Sequence, residues 1–222
     1  MSERCSVTPD QTKGGQPTFR SNAHLEKSFE NDIVKGFEAQ GWLSSPNDEG
    51  YDAARALFVP DVLAWLKTAY ADRFEKFALR PNAEDYLLNA IENTLKDKGT
   101  LWLMRHEMTI IGFGSFRMSE MKPDDSRNVK VAQRYKQNIL RVVQQVHFRT
   151  DSRESIDLVF FVNGIPVATA EVKTNFTQDV NEAVIEYKKN RKPRPTKNSA
   201  ESALLKPDRG AVVHFAVSET DI

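Results

Sequence analysis

Residues 156–173 read IDLVFFVNGIPVATAEVK, and the fold turns on them. Ile156 to Val162 is a nearly unbroken apolar run, as expected of a central strand buried on both faces. Asn163-Gly164 is a strong tight-turn dipeptide, and Ile165 to Lys173 reads as the returning strand of a hairpin. A two-residue turn there pairs residues whose numbers sum to about 327. Asp157 is therefore expected opposite Ala170, immediately beside Glu171. Alternation places Glu171 and Lys173 on one face of their strand. Two acids and an ammonium thus gather at one end of a sheet, where burial costs several kcal/mol, on the order of 3–5, unless the groups pair or bind a metal.

Two carboxylates with the backbone carbonyl of Val172 form a hard-oxygen donor set suited to Mg2+, which retains several waters. A bound ion lowers the pKa of a coordinated water and neutralises a phosphate under attack, and Lys173 is placed to orient that water or stabilise the developing charge. A structural Asp/Glu/Lys ion cluster is the competing reading. The location on two adjacent apolar strands joined by a tight turn favours the metal site.

Upstream, Leu25, Phe29, Ile33 and Phe37 recur every fourth residue with Val34 beside them, predicting a first helix capped by Asn22 and ended by Gly41. Glu26 and Glu30 share a face of that helix. Either is a possible additional metal ligand, and Glu30 is preferred because it adjoins Phe29 on the inward stripe. SSPNDEG (44–50) reads as a loop. A second helix is expected after Pro60 with Val62, Leu63, Trp65 and Leu66 inward, and a third over 83–97 with Tyr86, Leu87, Ile91 and Leu95 inward, closed by Gly99. LWLM (101–104) and MTIIGF (108–113) have the texture of strands. In QRYKQNILRVVQQVHF (133–148) a loop is expected to enter a strand near Ile139. Asn138, Gln144 and Gln145 are uncharged donors suited to holding a scissile phosphate. A helix over 179–190 with Val180, Ala183, Val184 and Tyr187 on one side should cross over to a last buried strand, GAVVHFAV (210–217).

Composition bounds the function. The chain has 222 residues, 31 Lys+Arg against 31 Asp+Glu, and 40% apolar residues, enough for a substantial core and without the charge of a general nucleic-acid coat. The charge is uneven, since residues 130–197 hold thirteen Lys/Arg and seven Asp/Glu. Lys188, Lys189, Arg191, Lys192, Arg194 and Lys197 form a basic arm kept extended by Pro193 and Pro195, able to neutralise several phosphates. The lone Cys5 excludes a disulfide framework or thiolate zinc cluster, so metal chemistry falls to carboxylates. Residues 1–22 read as a flexible polar tail and 23–222 as one domain. No membrane span or secretory signal is legible, and a cytoplasmic location is expected. GFGSF (112–116) lacks the following helix of a phosphate-binding loop.

The hairpin with Asp157 and the EVK triplet resembles the core of PD-(D/E)xK nucleases, and more narrowly the N-terminal domain of the R (restriction) subunit of type I restriction enzymes. LEKSFENDIVKGFEAQGW (25–42), GTLWLMRHEMTIIGFGSF (99–116), the 133–148 segment and EAVIEYKKNRKPR (182–194) extend the resemblance to about 200 residues. Ile156 stands where Pro is common, Val172 where Leu is common, and Ala183 where some members carry a Gln before the helix Tyr187. The resemblance implies an α/β, restriction-endonuclease-like mixed β-sheet flanked by helices. It also implies Mg2+-dependent cleavage of unmodified foreign double-stranded DNA, with Mn2+ able to substitute, and specificity and methyltransferase subunits as partners. The Asp157/Glu171/Lys173 trio would be catalytic, with Asp157, Glu171, Val172 and Glu30 as the metal donors. The sequence contains no GxxxxGK[ST] loop, so ATP would enter only through motor domains that the family carries after this region. The expected status is an N-terminal fragment of an R subunit or a stand-alone relative. The alternative is a catalytically inactive nuclease-like module that binds DNA or docks subunits.

Overall fold

A computed structural model describes residues 20–124, 127–174 and 180–220, with side chains from residue 24 onward. Residues 1–19 of the expected tail, Cys5 and Asp179 lie outside the described residues. The four-residue apolar spacing produces helix α1 (Arg20–Glu38), which already includes residues 20–22, so Asn22 lies within its first turn and is not its cap. Phe29, Ile33, Val34 and Phe37 pack against the sheet, but Leu25 is 42% exposed. Strand β1 (Leu43–Ser45) takes up part of the expected loop, and β2 (Tyr51–Asp52) pairs with β3 (Leu57–Phe58). Helix α2 (Val59–Ala69) carries Pro60 in its first turn, where a missing N–H costs nothing.

Three helices depart from the expected pattern. Helix α3 (Ala71–Ala78) is short and buries Phe74 and Phe77. LWLM is not a strand but lies in helix α5 (Thr100–Arg105), which follows α4 (Ala83–Lys98) directly across Gly99. Four consecutive apolar residues have no period of their own, and tertiary anchoring decides: the Thr100 hydroxyl meets the carbonyls of Arg209 and Gly210 at 2.6 and 2.7 Å. In α4 the inward stripe is Leu87, Leu88, Ile91 and Leu95, and Tyr86 is half exposed against expectation. The strand texture holds for the hairpin β4 (Glu107–Ile110) and β5 (Gly114–Arg117). The expected loop before the next strand is largely helix α6 (Val129–Lys136), begun by Asn128, whose side chain accepts from the Val131 N–H at 3.2 Å.

The remaining elements are β6 (Leu140–His147), β7 (Ser155–Val162), β8 (Ile165–Val172), α7 (Val180–Ile185) running into a π-helical stretch Glu186–Asn190, and β9 (Val213–Val217). Among the described residues the main sheet is five-stranded in the order β1-β6-β7-β8-β9. Its centre is the antiparallel β6-β7-β8, and β1 and β9 flank it in parallel. β7 is thus central, as its apolar run predicts, but β9 is an edge strand with Val213, His214 and Phe215 exposed, not a buried one. The chain is mixed α/β with a mixed sheet flanked by helices.

The hairpin register differs from expectation by one residue. Val162 faces Ile165 and Phe161 faces Pro166, but Phe160 faces Ala168, so Val167 is an extra residue in β8. Pro166 explains the bulge, because a residue without an N–H is tolerated inside a sheet chiefly at such irregularities. Ala170 consequently faces Leu158, not Asp157. Extended by one step, this register sets Asp157 level with Glu171, in keeping with the influence of Asp157 on the Glu171 carboxyl.

The turn itself is buried. Asn163 (φ +50) and Gly164 (φ +77) both occupy the left-handed region that a type I′ turn requires. The Asn163 side chain accepts from the Ile139 N–H at 2.7 Å and donates to the carbonyl of Met118 at 2.9 Å. A Cβ on Gly164 would collide with the Phe58 carbonyl oxygen and with Val62. Gly164→Ala is expected to cost about 2–4 kcal/mol, combining left-handed strain with overpacking. The check is a lower urea midpoint at unchanged m-value. A core built from α2 to α5 and β4-β5 reaches Ile165 at this turn, which leaves the opposite end of the hairpin for the acids.

Candidate active site

Asp157 enters near the start of β7, and Glu171 and Lys173 leave at the end of β8, so the bulged hairpin fixes their relative height. Asp157 is held on both oxygens: Oδ2 accepts from the Val172 N–H at 2.8 Å and Oδ1 from Gln145 Nε2 at 3.2 Å. Glu171 is 1% exposed, and burial together with the nearby Asp157 pushes its carboxyl up to about 8 against the pull of Arg191. Arg191 Nε donates to Glu171 Oε1 at 2.5 Å, and the Arg191 guanidinium lies 5.4 Å from the Phe148 ring centroid.

Lys173 is buried beside Glu186, with Nζ–Oε2 at 3.6 Å. Burial alone would lower its pKa, but Glu186, Glu26, Asp157 and Glu171 together outweigh it and raise the value above that of an ordinary lysine. The side chain is therefore a fixed ammonium, a donor of charge and hydrogen bonds and not a base.

The first helix supplies Glu30, 5% exposed, with Lys27 Nζ at 3.0 Å. Burial raises its pKa above the usual carboxylate value, with Asp157 adding to the rise and Lys27 and Gln145 opposing it. Gln145 Nε2 lies 3.2 and 3.3 Å from the two Glu30 oxygens, so this amide bridges the acids of α1 and β7. Glu26 contributes to the field at Lys173.

Other candidates are distributed differently. Gln144 is buried and donates to Asn31 at 3.0 Å, and so is not presented to a ligand. Asn138 serves the hairpin, bonding to both Asn163 and the Glu120 backbone. Lys188, Lys189, Lys192, Arg194 and Lys197 are exposed, but Arg191 is withdrawn from the arm into the Glu171 pair. Two contributors leave their signal in the sequence only at the spacing of a strand face. Ser155 Oγ donates to Gln145 Oε1 at 2.8 Å, and Thr169 bonds Tyr187 and His214 at 2.7 Å each. Ser155 and Thr169 each precede a catalytic candidate by two residues, the same-face spacing of a strand, and that was a usable signal.

Residues 67–212, well over half of the chain, match the family model for the N terminus of the type I restriction enzyme R protein. The chain belongs to this family. The match is shorter than the resemblance read from the sequence, and α1 with Glu30 precedes it. No curated protein and no solved structure matches the chain. As an R-protein N-terminal domain it is related to a restriction system, and among the described residues no helix is long and apolar enough to cross a membrane.

The donor set of the R-protein domain fits a hard divalent cation. Glu171, Asp157, Glu30 and the Val172 carbonyl are all oxygen donors, and burial first, with Asp157 adding to it, raises the Glu171 pKa, a penalty on the charged form that a cation would relieve. Among the described residues no group of three or more His, Cys, Asp or Glu side chains is drawn together tightly enough to hold a metal by itself, so the backbone carbonyl and water would have to complete the coordination.

Proposed function

We propose that residues 23–222 form the Mg2+-dependent DNA endonuclease domain of a type I R subunit with a PD-(D/E)xK site. It would hydrolyse phosphodiester bonds of unmodified foreign DNA, in the cytoplasm, after translocation by motor domains. Buried Glu171 beside Asp157, on the strand that ends in Lys173, is the observation that carries this reading. Asp157, Glu171, the Val172 carbonyl and Glu30 would hold Mg2+ or Mn2+, and the ion would supply an acidified water and charge neutralisation. Lys173 would donate its ammonium charge to the phosphate as negative charge grows there. The exposed Lys188, Lys189, Lys192 and Arg194 would neutralise the DNA backbone. Sequence recognition would come from the specificity and methyltransferase subunits.

One contact favours the alternative of an inactive DNA-binding or docking module: Arg191 already supplies Glu171 with a positive charge. Calorimetric Mn2+ titration of the native chain, Asp157→Ala and Glu171→Ala separates the two. Binding lost in both variants supports the nuclease, and identical behaviour of all three leaves the docking module.

The pH dependence carries a sign. Glu171 must be ionised to bind a cation, and its carboxyl titrates at about 8. Mn2+ affinity should therefore plateau above that pH and fall about tenfold per unit on going from pH 7 to 6. Below the plateau, binding should release protons, measurable by repeating the titration in buffers of different ionisation enthalpy.

A further inference from the structure

Strand β6 breaks its own alternation at one residue. Consecutive side chains of a strand leave on opposite faces, yet Gln144 and Gln145 both reach α1, one at Asn31 and the other at Glu30. The cause is the backbone at Gln145, whose φ of +52 lies in the left-handed region. The ladder is intact on either side, with Gln144 facing Leu158 and Val146 facing Ile156, and no residue is inserted. A non-glycine residue in this conformation is strained by about 1–3 kcal/mol and persists only where its surroundings over-determine it. Here the strain aims an amide. Nε2 donates to Glu30 and to Asp157 Oδ1, and Oε1 accepts from Ser155.

We infer that Gln145 is a positioning residue that clamps Glu30 of α1 and Asp157 of β7 into a single set of metal donors, an inference that rests on the metal-dependent reading above. An amide nitrogen has two hydrogens, and here each acid takes one. None is left for a scissile phosphate, the role that the residue's type suggested. A carboxylate has about four acceptor directions, so both acids keep room for a cation while bonded to Gln145. The clamp also accounts for how a helix outside the hairpin delivers a carboxylate to it: beside the Gln144–Asn31 bond, this amide joins Glu30 of α1 directly to Asp157 of β7.

Hydrogen bonds that orient metal-ligating groups are worth about 10–100-fold in affinity. Gln145→Met keeps the side-chain length and removes the amide. Gln145→Gly removes the side chain but accepts a φ of +52 without steric cost, so the strand is retained. Both are expected to bind Mn2+ about 10–100-fold more weakly than the native chain while unfolding cooperatively. Glu30→Gln should weaken binding in the native background and add little in the Gln145→Met background, a non-additivity that a merely structural role would not produce. Unchanged Mn2+ affinity in the Gln145 variants, or an equal Glu30→Gln effect in both backgrounds, overturns the clamp. A native chain that binds no Mn2+, with Asp157→Ala making no difference, overturns the metal-dependent reading and the clamp with it.

Discussion

Lys173→Ala is expected to leave Mn2+ binding at or slightly above the native affinity while plasmid nicking falls by about 10²–10³-fold, the usual loss when one charge-stabilising donor is removed. The separation follows from the side chain's surroundings. Lys173 faces Glu186, Glu26, Asp157 and Glu171, which hold it protonated, and an ammonium cannot ligate a cation. Removing it takes one positive charge from beside the carboxylates, which favours a metal, and takes the same charge from the phosphate. Asp157→Ala and Glu171→Ala should lose metal binding and nicking together, with nicking down about 10³-fold or more, since the metal's contribution is several kcal/mol and each 1.36 kcal/mol is tenfold in rate. Nicking is read on the chain alone and in the complex reconstituted with its motor and partner subunits. A Lys173→Ala chain that loses Mn2+ binding, or nicks as fast as the native one, defeats the assigned role.

The second large effect lies outside the site. Arg141 of β6 makes a two-pronged pair with Asp61 of α2, Nε–Oδ2 at 2.7 Å and Nη2–Oδ1 at 2.9 Å, and its guanidinium lies 4.7 Å from the Phe58 ring centroid. The side chains are 16% and 5% exposed. Asp61→Ala strands the arginine and is expected to cost about 3–5 kcal/mol, because an uncompensated buried charge is worse than the absence of the pair. By the same reasoning Asp61→Leu combined with Arg141→Met should recover most of the loss. Chemical denaturation of Asp61→Ala, of the double variant and of its two single substitutions tests this, and additivity of the single substitutions would show that the pair is not coupled.

Local signals carried much of the fold. The buried β7, the tight turn and the return strand were legible because apolar patterning and Asn163-Gly164 agree. Glu30 was legible as an acid beside an inward stripe. What was not legible needed a partner distant in sequence. LWLM is helical because Thr100 is tied to Arg209 and Gly210. The apolar residues of β9 suggest burial, but it lies at the sheet edge with part of its surface uncovered. The pairing of Arg191 with Glu171 and the left-handed Gln145 left no trace in periodicity. The one-residue shift in register does have a local cue, since Pro166 inside a strand pattern signals a bulge.

That bulge imposes an arithmetic of parity on the whole hairpin. Across a two-residue turn, residues that face each other are always an odd number apart, as Val162 and Ile165 are. Asp157 and Glu171 are an even number apart, so no unbulged hairpin on a two-residue turn could set them level, whatever the length of its strands. Lengthening both strands by one residue preserves the alignment, whereas a single insertion or deletion between the acids misaligns them as surely as a substitution. Hairpin length can therefore vary in this architecture only in paired steps, unless the irregularity at Val167 is gained or lost at the same time.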